Sequence, residues 1–382
     1  MKSNWPNALW ITLAVLLLAL CPGCKSTPSL AKHEAVFYPQ PPQPPRLQFL
    51  VSLSGEQDLG RETSKFASFV VGKKQIVTKS IRKPYGVALH EGKLFVCDTG
   101  TSSVDILDLK ERSFRYFTPT GEGQFITPIN IAVDHDGTRY ITDAARGQVL
   151  IYGADDHYIG AIGARAAKGI KPLLAGAQIP PASEQEALKP TDVLIAGNRL
   201  YITDLKSHTV QVYDKAKREL LFTIPHDPSV AEGNSKLFSP VNLAMDIQGR
   251  LYVSDLGAFR VQQYDPDGRF LRSFGAGTGD KPGEFARPKG VAVDREGRVY
   301  VVDAASQVVQ IFDQEGRLLL FFGEALPKAP GLDLPAKVII DYDHVGLFQK
   351  YAAPDFNLEY LVIVTNQLGD RKVSVFGFGH QN

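Results

Sequence analysis

The chain has 382 residues, 44% of them hydrophobic and 22% charged, with a formal net charge of +1. That is an ordinary globular composition; a folded part of about 300 residues buries roughly three quarters of its unfolded surface and needs no staples. The near balance of charge excludes the basic excess expected of a nucleic-acid binder and the acidic run of a solvating tail.

Met1 and Lys2 give the chain a positive start, and residues 8–20 form an apolar run too short for a comfortable membrane span. The run ends on Leu20-Cys21-Pro22-Gly23-Cys24. Gly23 and Cys24 resemble the end of a bacterial lipobox, in which the cysteine is freed by cleavage, lipidated and becomes the first residue. Cys21 stands where that motif has an aliphatic residue, and it offers a second cleavage point behind the bulky Leu20. An ordinary secreted signal with incidental cysteines is the blander reading. Residues 1–23 are therefore expected to be a lipoprotein signal and Cys24 the lipidated residue. The mature chain is expected outside the cytoplasm, in the periplasm or on the cell surface, with the outer membrane preferred and the lipid its only membrane contact. Cys97 has no partner left after processing, so no disulfide is expected, and the absence of C-x-x-C-H excludes c-type haem by that motif.

Residues 24–45 are rich in proline and read as an extended tether. Leu47 to Leu53 alternates like a strand but has no repeat of its own. Residues 60–75 carry a stripe, Phe66, Phe69 and Val70, that suits a short capping helix. From residue 84 the chain repeats. A proline opens the first strand of each copy, at Pro84, Pro128, Pro190, Pro240, Pro288 and Pro335, and an aspartate closes the second, at Asp98, Asp143, Asp204, Asp255 and Asp303. A third strand begins near Val104, Val149, Val210, Val261 and Val309. Each copy holds four short alternating runs divided by Gly or Asp turns, hence four antiparallel strands. The sixth copy has Asn366 in place of the aspartate, an insertion at 344–357, and no fourth strand. The orphan strand near residue 50 supplies it. The expected fold is all-β: a six-bladed β-propeller over residues 46–382. Its blades fall near 84–117, 127–163, 189–225, 239–275, 287–323 and 334–378, the last completed by 46–54. Closure of the ring by both termini leaves only short, protected edges.

Residues 287–323 carry Pro-Lys-Gly-Val-Ala-Val-Asp, then Val-Tyr-Val-Val-Asp, then Val-Gln-Ile-Phe-Asp and a closing Phe-Gly. This pattern resembles NHL repeats. The layout of the whole chain also resembles exported bacterial NHL-repeat lipoproteins of unestablished function. NHL repeats often place Asn three residues and Arg five residues after the aspartate. Here the first positions hold Thr101, Arg146, Ser207, Ala258 and Ser306, and of the second only Arg260 fits. Partner rules of other NHL proteins therefore do not transfer.

In such a propeller the first strands line the channel, and blade-joining loops share a top rim with the turns between second and third strands. The second residue after each repeat proline is Gly86, Asn130, Asp192, Asn242, Gly290 or Lys337. Asn130, Asp192, Asn242 and Lys337 break the repeat and form a candidate ligand site. Asn130, Asp192 and Asn242 offer oxygen ligands of the kind that suit Ca²⁺ or Mg²⁺. Asp98, Asp143, Asp204, Asp255 and Asp303 recur in their blades and read as structural acids that accept turn N–H groups. The long loop at 163–188 is a candidate lid, and Phe348, Tyr351 and Phe356 are expected on the bottom face, where they would plug the channel. No catalytic constellation emerges, so no catalytic residue is assigned. The preferred function is a binding or scaffold module for a protein, peptide or glycan of the cell envelope. The alternative is a divalent-metal-dependent hydrolase or lyase, of the kind that six-bladed relatives such as gluconolactonase-like and strictosidine-synthase-like proteins imply.

Overall fold

The computed structural model describes residues 35–60, 78–164, 187–226, 235–325 and 331–381. The signal with Cys24, nearly all of the expected helix at 60–75 and most of the loop at 163–188 lie outside the described residues. Among the described residues no helix is long and apolar enough to cross a membrane.

Two strands, β1 (Val36–Tyr38) and β2 (Leu47–Leu53), precede the repeats. Blade one is β3 (Pro84–His90), β4 (Lys93–Asp98), β5 (Ser103–Asp108) and β6 (Ser113–Phe117). Blade two is β7 (Pro128–Val133), β8 (Arg139–Asp143), β9 (Gln148–Tyr152) and β10 (Tyr158–Ile162). Blade three is β11 (Pro190–Ala196), β12 (Arg199–Asp204), β13 (Thr209–Asp214) and β14 (Leu220–Ile224). Blade four is β15 (Pro240–Met245), β16 (Leu251–Asp255), β17 (Arg260–Tyr264) and β18 (Phe270–Phe274). Blade five is β19 (Pro288–Val293), β20 (Val299–Asp303), β21 (Val308–Phe312) and β22 (Leu318–Phe322). Blade six takes β23 (Pro335–Asp341), β24 (Phe356–Asn366) and β25 (Val373–Gln381) from the C-terminal end. Its sheet order is β1-β2-β25-β24-β23, so β2 stands as its fourth strand and β1 as a fifth. β1 lies inside the stretch expected to be tether and pairs with residues 47–49.

Each blade is too thin to bury two faces by itself, and the core lies between blades. Six apolar clusters separate the six blade pairs. Tyr201, Val210 and Ile224 meet Leu243, Val253 and Tyr264 between blades three and four. Val362, Val364 and Phe376 meet Tyr300, Val309 and Phe322 between blades five and six. Leu361, Ile363 and Val375 meet Val87, Leu94 and Val96 between blades six and one, which closes the ring. The middle strands face a neighbour on both sides. They are buried throughout, as in β20 and β21, and read as nearly continuous Val, Ile and Tyr. The outer strands of blades three, four and five are open until their buried last residue, leaving Leu220, Leu271 and Leu319 about half exposed.

Two local devices recur. In the turns led by Asp246 and Asp294, the aspartate Oδ1 accepts the N–H of the residues two and four further on, and its Oδ2 accepts the Nε–H of Arg250 or Arg298. Gly249 and Gly297 follow at φ 78° and 79°, a region that admits glycine without strain. The second device is a one-residue shift in pairing within three residues of every repeat proline, the same in all six blades. A bulge of this kind bends a strand and re-aims its side chains. It lies where the first strands turn into the channel.

The insertion of blade six forms a short helix, α1 (Val345–Phe348), and a 3-10 turn (Gln349–Tyr351). Phe348 packs in the cluster between blades six and one, and Phe356 meets Phe37. Gln48 binds the Tyr351 carbonyl and the Ala353 N–H. The aromatics join blades and the closing strand, and do not plug the channel as expected, because the turn is tied to β2.

Candidate functional site

The blade-closing acids spend their oxygens on the backbone. Asp303 accepts the N–H groups of Ala286 and Arg287 at 2.7 and 3.0 Å, and those of Ala305 and Ser306 at 3.0 and 3.2 Å. Asp98 takes Arg82, Lys83 and Gly100. Asp143 takes Ile126, Thr127 and Arg146. Asp204 takes Lys189, Lys206 and Ser207, and Asp255 takes Phe238 and Ser239. In blade six the Asn366 carboxamide does the same work, accepting from Asp333 and donating to the Arg371 carbonyl. Each staple holds the incoming loop against the turn between second and third strands. Burial pushes the carboxyls of Asp143 and Asp255 up, and the N–H donors pull them back.

The inner ring has a different chemistry. Asn130, Asp192, Asn242 and Lys337 are all buried. The Lys337 ammonium, from blade six, crosses the channel to blades three and four. Its Nζ donates to Asp192 Oδ2 at 2.7 Å and to Asn242 Oδ1 at 2.7 Å. The same Asp192 carboxylate also accepts the N–H of Val193 at 2.9 Å and of Leu243 in the next blade at 2.8 Å. Asn242 Oδ1 lies 3.4 Å from the N–H of Val291 in blade five. Burial pushes the Asp192 carboxyl above its usual range; the Lys337 charge and the N–H donors oppose that. Three of the four expected ligands thus converge, on one another. Asn130 stays apart: its Oδ1 accepts the Ile131 N–H, and its buried Nδ2 has no partner among the described residues.

The two glycines of the ring are there for clearance. A Cβ on Gly86 would stand 2.2 Å from Asn130 Oδ1, and one on Gly290 would stand 2.7 Å from the Val338 nitrogen.

The oxygen donors of this arrangement are the place expected to bind Ca²⁺ or Mg²⁺. Neither ion fits at the point shared by Asp192 and Asn242, where the lysine ammonium already supplies the positive charge and takes both oxygens. No group of three or more His, Cys, Asp or Glu side chains suited to a metal occurs among the described residues.

Sequence reasoning passed over the layer just above. Tyr85 and Lys289 sit one residue after Pro84 and Pro288, and Lys289 Nζ stands 4.8 Å from the Tyr85 ring centroid. A lysine at 6% exposure in an otherwise apolar first strand was the available signal. Further out, the described residues of the top rim include two exposed large apolar side chains, Phe238 at 48% and Leu368 at 55%.

Comparison with known proteins agrees with the architecture. Residues 285–312 match the family model described as NHL repeat. A streptogramin B lyase structure superposes with a TM-score of 0.50 at 12% identity, over 78% of this chain and 83% of that one. A structural-genomics protein of unknown function from Bacteroides thetaiotaomicron gives 0.53 at 14% identity, over 78% and 70%. A catalytically inactive virginiamycin B lyase from Staphylococcus aureus with quinupristin gives 0.50 at 10% identity, over 78% and 96%. The chain is a six-bladed β-propeller carrying an NHL repeat, and likeness at these identities speaks for the fold alone.

Proposed function

We propose that this propeller is a binding module of the cell envelope, held to the membrane by a lipid on Cys24, that presents its top face to a protein, peptide or glycan. The observation that carries this reading is the Lys337 ammonium between Asp192 and Asn242. A carboxylate whose oxygens are engaged by an ammonium and two N–H groups has little capacity left to ligate a cation or to act as a general base. The metal-dependent hydrolase or lyase reading needs those oxygens free. The top rim, by contrast, carries exposed Phe238 and Leu368, with Lys236 over the Phe238 ring, and exposed Lys83, Lys189 and Arg287 ahead of their repeat prolines. Aromatic and cationic side chains around an apolar centre are the usual anchors of an interface.

Photo-crosslinking in cells tests the face. A crosslinking residue at Phe238 or Leu368 is expected to trap a discrete envelope partner, and the same residue at Ile247, which is 72% exposed in a bottom turn, is expected to trap none. Adducts from Ile247 alone would sink the top-face reading. Palmitate labelling tests the anchor. It is expected to vanish in Cys24→Ala; labelling lost only in Cys21→Ala would move the lipid to that residue.

A further inference from the structure

Lys289 leaves blade five and places its ammonium over Tyr85 of blade one. These blades flank blade six, so the side chain crosses the mouth of the channel, one residue nearer the top than Lys337. The two lysines of the channel differ in one respect. Lys337 has a carboxylate and a carboxamide; the Lys289 ammonium has no hydrogen bond or ion pair among the described residues, although the residue is only 6% exposed. Exposed Lys83 and Arg287, each preceding a repeat proline, add positive charge beside it. Burial, then these two charges, pull Lys289 down from 10.5 to about 8.

The Lys289 side chain is largely buried and its ammonium meets little solvent at the channel mouth, so the lack of a counter-charge is costly. The Tyr85 ring face returns part of that through its quadrupole. An anion would return more, because it brings both charge and acceptors, and a guanidinium at the rim suits the planar fork of a carboxylate or the oxygens of a phosphate.

We propose that the channel mouth is an oxyanion site, in which Lys289, with Lys83 and Arg287 around the Tyr85 ring, holds a phosphate or carboxylate group carried by the top-face ligand. The site rests on the top-face reading and gives that ligand a chemical class.

The test titrates the purified protein with inorganic phosphate and, separately, with acetate, by calorimetry. Saturable binding of at least one is expected. Lys289→Met should weaken it at least tenfold, and the exposed pair Lys83→Gln with Arg287→Gln several-fold, without risk to the core. Preference for phosphate would identify a phosphorylated ligand and preference for acetate a carboxylate one; equal binding supports an oxyanion site open to both. Lys83, Arg287 and Tyr85 are the titratable groups that face the ammonium, with Asp192 held below by Lys337. The Tyr85 hydroxyl, pushed up to about 12 mainly by burial, keeps its proton to pH 9. Acetate has constant charge from pH 7 to 9, so its affinity should fall roughly tenfold per pH unit above about 8 as Lys289 loses its proton. Absence of binding by both anions, or equal binding in Lys289→Met and in the Lys83/Arg287 variant, overturns the proposal. Lys289-dependent anion binding with no crosslinks from Phe238 or Leu368 would keep the site and remove the top-face partner.

Discussion

Asp105 occupies the third-strand position that Gln211, Gln262 and Gln310 hold in blades three, four and five. Gln262 and Gln310 each donate to a carbonyl of the loop entering their blade. Asp105 has no amide to donate. Ser103 donates to its Oδ1 at 2.6 Å, and its Oδ2 is buried with no hydrogen-bond partner among the described residues. Burial, with the neighbouring Asp98 charge, pushes the carboxyl up to about 8. The folded protein therefore keeps a proton here that the unfolded chain, titrating near 3.8, gives up. The stability from this group is complete below about pH 4 and is lost as pH rises to about 8, a loss of a few kcal/mol. Asp105→Gln is expected to flatten that decline. Urea midpoints at pH 5 and pH 8.5 would show it as a smaller difference than in the parent, and an unchanged difference would place the titrating group elsewhere. The repeat showed that this position sits in a buried third strand. It did not reveal that the neighbour is a second carboxylate, because the Asp98 side chain turns toward it only once the strands are paired.

At the scale of elements, the strands and their order were legible from proline-to-aspartate spacing, since each blade repeats one solution to pairing and burial. Two features were not. β1 is three residues long beside prolines, too short for periodicity to register. The cross-channel tie between β23, β11 and β15 joins residues 145 and 95 positions apart, and no local pattern encodes which blade a lysine will reach. That tie makes a specific demand. Lys337→Met should leave the Asp192 charge buried and uncompensated and cost about 3–5 kcal/mol. Adding Asp192→Asn should recover much of it, because the neutral amide still has an oxygen for the Leu243 N–H. A double-mutant cycle in denaturant measures the coupling; additive losses would show that the pair acts independently.

For the whole molecule, closure was legible because the sixth copy lacked a strand and an unassigned strand stood near the start. The pairing of Leu53 with Val373 joins segments roughly 320 residues apart in sequence. Topology then dictates timing. β2, made near the start, is among the last strands to find its partner, β25. At a synthesis rate of about 5–20 residues per second it waits roughly 15–65 s. During that time β2 has no β25 to pair with, and Leu50 and Leu53 have no blade-six residues to pack against. An unpaired, partly apolar strand is an invitation to pair with the wrong chain. A circular permutant that carries residues 46–54 after the C-terminal strand is expected to fold to the same ring, with faster refolding and less aggregation at micromolar concentration; equal refolding rates would show that closure is not the slow step. In the natural order β1 and β2 are the latch, so a pull on the chain ahead of Val36 would load β1 and then β2 before any repeat strand, and would open the ring at the seam where its two ends meet.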